Sequence, residues 1–201
     1  MMTQQIHLKM LENLFEECDN PTLLCFLLKK IPLWSSSGII CRHILDSLDD
    51  LFSFAYNDAQ PVSNLQYIVA NLANHIKLEE IFESIEPGYV LTNLNRAGCI
   101  TDSTMMDGFY INTDTNEKAI SVLDVFLTAF SDVGTKIQRE SFQACLVDGM
   151  KEAAIFGNWQ QFKKIYDYAT PNLSANLCLQ DCSKMCSSEE RNLWLDKNWN
   201  H

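Results

Sequence analysis

The chain has 201 residues, is 47% hydrophobic, and carries 15 basic against 26 acidic side chains for a net charge of −11. That supplies one sizeable core. With no basic cluster larger than Lys29–Lys30 or Lys163–Lys164, it excludes a phosphate-neutralising nucleic-acid face and attraction to anionic lipid. Seven Gly and five Pro are too few for an all-β fold that turns about every ten residues, so the expected fold class is mainly α.

The first helix is expected over about residues 3 to 18, with Ile6, Met10, Leu14 and Phe15 near one face. Asp19-Asn-Pro21 breaks it, since Pro disfavours a helical residue before it and starts the next helix well. Leu23, Leu24, Leu27, Leu28 and Ile31 follow, and Pro32 ends that helix. The stretch "LLCFLL" is the longest apolar run, far below the roughly 18 residues of a membrane span. The amphipathic start lacks a signal-peptide pattern, so a soluble, cytoplasmic protein is expected. Ser35-Ser-Ser-Gly38 offers N-caps to a third helix from Ile39 to about Tyr56, carrying Ile40, Ile44, Leu48, Leu51 and Phe54.

Ser63-Asn-Leu-Gln66 is a capping-box start for a helix to about Ala73, which passes through Asn74–His75 into a partner ending near Ile85. Pro87 opens a short helix to Arg96. From Gly98 to Asn116 the pattern changes, and Asp107–Gly108 between short extended segments predicts a β-hairpin or protruding loop. Asp114-Thr-Asn-Glu117 resembles a capping box for a helix to about Phe130. Gly134 marks a turn, and another helix runs to Phe156, with Gly157 at its C′ position. The last elements are expected over 159 to 169, 174 to 185, and 188 to 198 after Ser187-Ser-Glu-Glu190.

Three stretches echo one another. After Asn20, Asn74 and Asn158, apolar residues fall 4, 7, 8 and 11 positions on, in amphipathic helices. Two of the stretches end at corresponding prolines, Pro87 and Pro171. The segment Gly157-Asn-Trp159-Gln-Gln-Phe162-Lys-Lys-Ile165-Tyr166-Asp-Tyr-Ala169-Thr-Pro171 resembles the middle of a tetratricopeptide-type repeat. It departs at Phe162, which replaces the small packing residue. The Ala…Gly-Asn junction is similar to that of ankyrin-type repeats, without their Thr-Pro-Leu-His turn. The resemblance implies stacked antiparallel helical hairpins, as an irregular bundle or short degenerate solenoid. Residues 1–97 would form an N-terminal helical part, 98–116 an insertion, and 117–201 a C-terminal helical part of one compact domain.

Eight cysteines in a chain this rich in core residues point to buried free thiols and a reducing compartment. Cys178, Cys182 and Cys186 on one helix would span about 12 Å. That is too far for one zinc with bonds of roughly 2.3 Å, so the triplet is expected to pack, and no metal or cofactor is expected. Asn112-Thr-Asp114-Thr-Asn116 lacks the glycine and final acid of a calcium loop. Nucleotide, zinc-protease and serine-hydrolase motifs are missing from the sequence.

One catalytic alternative is a cysteine-dependent hydrolase or transferase that uses Cys99, in its predicted loop, with His75 at a helix junction. The favoured expectation is a non-enzymatic protein-interaction module or adaptor. Its binding residues would be Phe109 and Tyr110 at the hairpin tip, Trp159 and Tyr168 near the repeat junction, and Trp199 near the C-terminal end. The expected partner is another protein with a basic surface, which the acidic chain would engage or block. Acidic groups such as Asp46–Asp49–Asp50 and Glu79–Glu80–Glu83 are expected on solvated faces. The 16 Asn and abundant Ile suit a low-GC genome, and with it a host-directed effector.

Overall fold

The structure is a computed structural model. It describes residues 9–10, 12–14, 23, 26–28, 37–57, 60–97, 99–101, 109–137, 139–156 and 158–169, with the backbone alone at 99–101, 109–111, 135 and 139. The chain is mainly helical. The expected helices at 174 to 185 and 188 to 198, the Asp107–Gly108 turn, Gly157, Trp199, and Cys178, Cys182 and Cys186 lie outside the described residues.

Ser37 begins α1 (Gly38–Asp46). Its backbone is extended, and its hydroxyl oxygen accepts from the Ile40 N–H at 3.3 Å, satisfying one of the donors left open at a helix start. One long helix over 39 to 56 is not formed. The Ser47 hydroxyl bonds back to the His43 carbonyl at 2.9 Å, a local competitor to helix continuation, and α2 (Leu48–Phe54) starts afresh before a single 3₁₀ turn, Ala55–Asn57. The restart turns Phe52 into the core and leaves Phe54 half-buried.

Two expected caps are displaced. The helix α3 (Pro61–Ala73) starts before Ser63, because Pro61 occupies its first turn with φ already suited to a helix. Ser63 donates back to the Gln60 carbonyl instead. Then come α4 (Leu78–Glu83) and α5 (Pro87–Arg96), the latter again opened by proline. The strands β1 (Cys99–Thr101) and β2 (Phe109–Ile111) pair antiparallel, with Cys99 opposite Ile111 and Thr101 opposite Phe109. At the start of α6 (Thr113–Ile137) the cap is Asn112, whose side-chain oxygen accepts from the Thr115 N–H at 3.1 Å, and Asp114 lies exposed inside the first turn. The chain continues as α7 (Arg139–Ile155) and α8 (Trp159–Ala169).

At 25 residues, or about 38 Å at 1.5 Å per residue, α6 is the central strut. It packs against α3, α4, α5, α7, α8 and the 3₁₀ turn, while α5 lies between α2 and α7, and α7 against α8. Five rings fill the middle: Phe52 from α2, Phe82 from α4, Phe126 and Phe130 from α6, and Phe142 from α7, each fully buried. Their neighbours stand 5.4 to 5.8 Å apart, many edge to face, the arrangement that ring quadrupoles favour.

Gly134 does not mark a turn. It is buried within α6, and a Cβ there would come within 2.8 Å of both Phe142 and Phe82. The glycine serves close approach, so the ordinary rule that Gly→Ala stabilises a helix by about 1 kcal/mol reverses here. Gly134→Ala is expected to be net destabilising by about 1–2 kcal/mol, since overpacking a dense core costs about 1–3 kcal/mol. Chemical denaturation tests it, and an unchanged or raised midpoint would refute the close-approach account.

Candidate functional site

The described residues of the first expected helix turn its apolar face outward. Met10 is 66% exposed and Leu14 lies exposed beside it, whereas Glu12 is 8% exposed. The Glu12 carboxylate accepts the Ser37 hydroxyl at 2.8 Å and faces Lys9 at 3.8 Å. That bond to the α1 cap holds the acid inward, and residues two positions to either side then point outward. Leu23 is exposed too. Phe26 is 55% exposed, and Ile39 at the start of α1 is also exposed. These are five of the eight large apolar side chains exposed among the described residues.

Of the expected binding aromatics, Trp159 belongs to the core. It is 5% exposed and meets Phe162 edge to face at 5.1 Å, because it heads the inward stripe Trp159, Phe162, Ile165 and Ala169 of α8. Tyr168 stays at the rim, half-buried, its hydroxyl 2.8 Å from the Thr128 hydroxyl of α6. Phe109 and Tyr110 lie on β2, and Cys99 on β1; the side chains of all three are outside the described residues.

His75 sits exposed at the α3–α4 junction and lines a cleft of about 610 Å³ with Cys41, Arg42, Asp46 and Ser84. The cysteine sharing this cleft is therefore Cys41, a residue whose side chain is 5% exposed. Burial pushes its thiol up, the opposite of what a nucleophile requires. Burial, and next the nearby Asp148 carboxylate, push the Cys145 thiol of α7 up as well. Among the described residues, no group of three His, Cys, Asp or Glu side chains is placed to hold a metal ion. Nor is any described helix long and apolar enough to cross a membrane.

A buried amide cluster escaped the sequence reading. Asn158, expected only as a junction residue, caps α8 by accepting from the Gln161 N–H at 3.3 Å. Its side-chain amide donates to the Asn116 oxygen of α6 at 2.6 Å. The Gln161 amide donates to the same oxygen at 3.2 Å and to the Leu94 carbonyl at the end of α5 at 2.8 Å. The neighbouring Asn95 donates to the Gly149 carbonyl of α7 at 2.8 Å. All four amides are buried, and together they tie four helices. The available signal was Gln161, a polar residue at a position the α8 apolar stripe should fill. Asn74, the supposed equivalent of Asn158, is exposed at the C-cap of α3, so the two echoing asparagines do different work.

The acidic clusters divide. Glu79, Glu80 and Glu83 lie on an exposed face. Asp49 is half-buried and accepts the Glu86 N–H at 2.7 Å, where α5 begins, while Asp50 accepts the Tyr89 hydroxyl at 3.1 Å. The pair is thus a join between α2 and α5 and not merely a solvated face. Burial pushes the Asp49 carboxyl up, against the lowering effect of the Glu86 N–H, and the negative charges of Glu86 and Asp50 add to the rise. A raised carboxyl binds its proton more tightly in the folded state. Its contribution to stability is full below the unfolded value, about 3.9, and is lost as pH rises through the folded value. At neutral pH the ionised group therefore costs stability. Asp49→Asn, which keeps an acceptor oxygen, is expected to raise the melting temperature at pH 7 and to leave it nearly unchanged at pH 3. The same shift at both pH values would contradict this.

Compared with known proteins, the chain matches no family model, no curated protein and no solved structure.

Proposed function

We propose that the chain is a protein-interaction module, an adaptor or host-directed effector whose N-terminal helical surface engages another protein. The observation that carries this reading is the exposure of the large apolar side chains Met10, Leu14, Phe26 and Ile39. All four fall within the first 39 residues, and exposed large apolar side chains of this kind are what binding surfaces use, Met and aromatics being enriched at their centres. The net charge of −11 favours a basic partner by speeding and orienting encounter. Helix pairs such as α7–α8 are read as hairpin units presenting this surface, with the 98–116 segment as a protruding hairpin and Phe109 and Tyr110 as a second contact. The free thiol of Cys145 suits a reducing compartment.

The test is site-specific photocrosslinking in cells with the reactive group at Met10 or Phe26, and at exposed Gln160 on α8 as comparison. Adducts to one other protein are expected from the first two positions only, and their yield should fall at high salt. Equal yields from all three positions would sink the reading.

A further inference from the structure

A groove of about 560 Å³ runs between α3 and α6, and its apolar walls are Val62, Val69, Ala70, Val125 and Ala129. Two more of its lining residues, Asp124 and Thr128, are bonded to α8. Asp124 holds the Lys164 ammonium at 2.8 Å, and the Thr128 hydroxyl meets that of Tyr168 at 2.8 Å. From one bond to the next both helices advance in the same sense, so α6 and α8 run side by side in one direction here. Tyr168 is followed by Ala169, where α8 ends. The chain therefore leaves α8 at the edge of the groove, beside Ala129.

The residues that follow, outside the described ones, have a sequence suited to turning back. Thr170 to Leu173, with Pro171 to stop α8, are a connection of ordinary length between antiparallel helices. The helix expected over 174 to 185 carries Ala175, Cys178, Leu179, Cys182 and Met185 at steps of three and four. They make one apolar stripe of mostly small side chains, from which Leu177 alone of its apolar residues departs. Its two charges, Asp181 and Lys184, cancel and lie off the stripe.

We propose that segment 174–185 of the same chain occupies the α3–α6 groove, as a helix returning antiparallel to α8 with this stripe against the Val and Ala walls. The lengths agree. Such a helix spans about 18 Å, and the α6 wall from Ser121 to Ala129 about 12 Å. Connectivity selects the occupant. A segment tethered so close to the groove is present at an effective concentration in the millimolar range, above that of a freely diffusing protein. Its zero net charge meets no repulsion from a chain of −11, whereas a basic partner would find only Asp124, already paired. The proposal gives the C-terminal cysteines a place to pack, and it stands apart from the partner surface at Met10 and Phe26.

Crosslinking within the full chain tests it. Gln66→Cys or Ala70→Cys, treated with a short bismaleimide, is expected to join Cys178, Cys182 or Cys186 of the same chain, as read by peptide mass spectrometry. Lys151→Cys, on the cleft between α5 and α7, should join none of them. In the unsubstituted protein these three thiols should alkylate at least about tenfold more slowly than in urea. Ala70→Glu sets a charge against the stripe and should remove most of that protection. The buried Cys41 should stay unlabelled throughout, which reports an intact core. Crosslinks from neither groove position, crosslinks only between separate chains, or equal yields from Lys151→Cys overturn the proposal. So do thiols that alkylate as fast in the native protein as in urea, or a protection indifferent to Ala70→Glu.

Discussion

Phe130→Ala is expected to remove about 3–5 kcal/mol of folding stability, the usual cost of deleting a buried ring. Phe130 is fully buried and stands at the crossing of three helices, its centroid 5.8 Å from Phe52, 5.8 Å from Phe82 and 5.5 Å from Phe126. Deleting it opens a cavity whose other walls are rings on α2, α4 and α6. Rigid rings collapse poorly into such a space, and edge-to-face pairs carry about 0.5–1.5 kcal/mol beyond their buried area. Since whole domains are stable by only about 5–15 kcal/mol, this single change removes a large share. Urea unfolding followed by circular dichroism should show the midpoint fall with little change in slope. Phe130→Leu, which refills much of the volume, should lose clearly less. A loss under about 1 kcal/mol for the alanine variant would show that the five-ring cluster is not the centre of the fold.

Asn116→Ala is the second large effect, expected at about 2–3 kcal/mol. The Asn116 side-chain oxygen accepts from Asn158 at 2.6 Å and from Gln161 at 3.2 Å in a buried site. Gln161 retains the Leu94 carbonyl when that oxygen goes, but the buried Asn158 amide loses its acceptor. A donor stranded away from water costs about 1–3 kcal/mol, and the deleted side chain adds a small void. The discriminating experiment is a double-mutant cycle of Asn116→Ala with Asn158→Ala, because removing both partners relieves the stranding. A coupling of at least about 1 kcal/mol is expected, within the range for contacting residues. Simple additivity would mean that the two amides are only neighbours.

The helices that were legible in the sequence are those whose signals are local. Pro87 and Arg96 bound α5 as expected, Trp159 and Ala169 bound α8, and Ala73 ends α3. In α3 and α5 a proline pre-sets the first turn, which no distant contact needs to supply. The errors arose where two local signals competed. Ser63 lost to Pro61, and Asp114 to Asn112, although both motifs carried an acceptable capping residue. At Ser47 one hydroxyl split the expected third helix, and with it exchanged Phe54 for Phe52 in the core.

The candidate sites were less legible, because exposure is a property of neighbours. Periodicity placed Met10 and Leu14 on one face of a helix, but it could not say which face the rest of the protein would cover. Glu12 and Ser37, 25 positions apart, decided that. Trp159 and Tyr168 looked alike as aromatics near a junction; one lies in the core and the other at the rim, since the inward stripe of α8 passes through only the first. The pairing of His75 with Cys99 was a guess across the chain, and the cleft at His75 is shared with Cys41.

By itself, then, the sequence determined the helical class, the net negative charge and the bounds of helices such as α5 and α8, because apolar period and proline geometry act over a few residues at a time. The tertiary structure alone decided that α6 passes straight through Gly134, since only the approach of Phe82 and Phe142 forbids a side chain there. It alone gathered Asn95, Asn116, Asn158 and Gln161 from α5, α6 and α8 into one buried cluster. It also brought the end of α8 to the α3–α6 groove, because contacts are settled between elements distant in sequence, where local pattern carries no information.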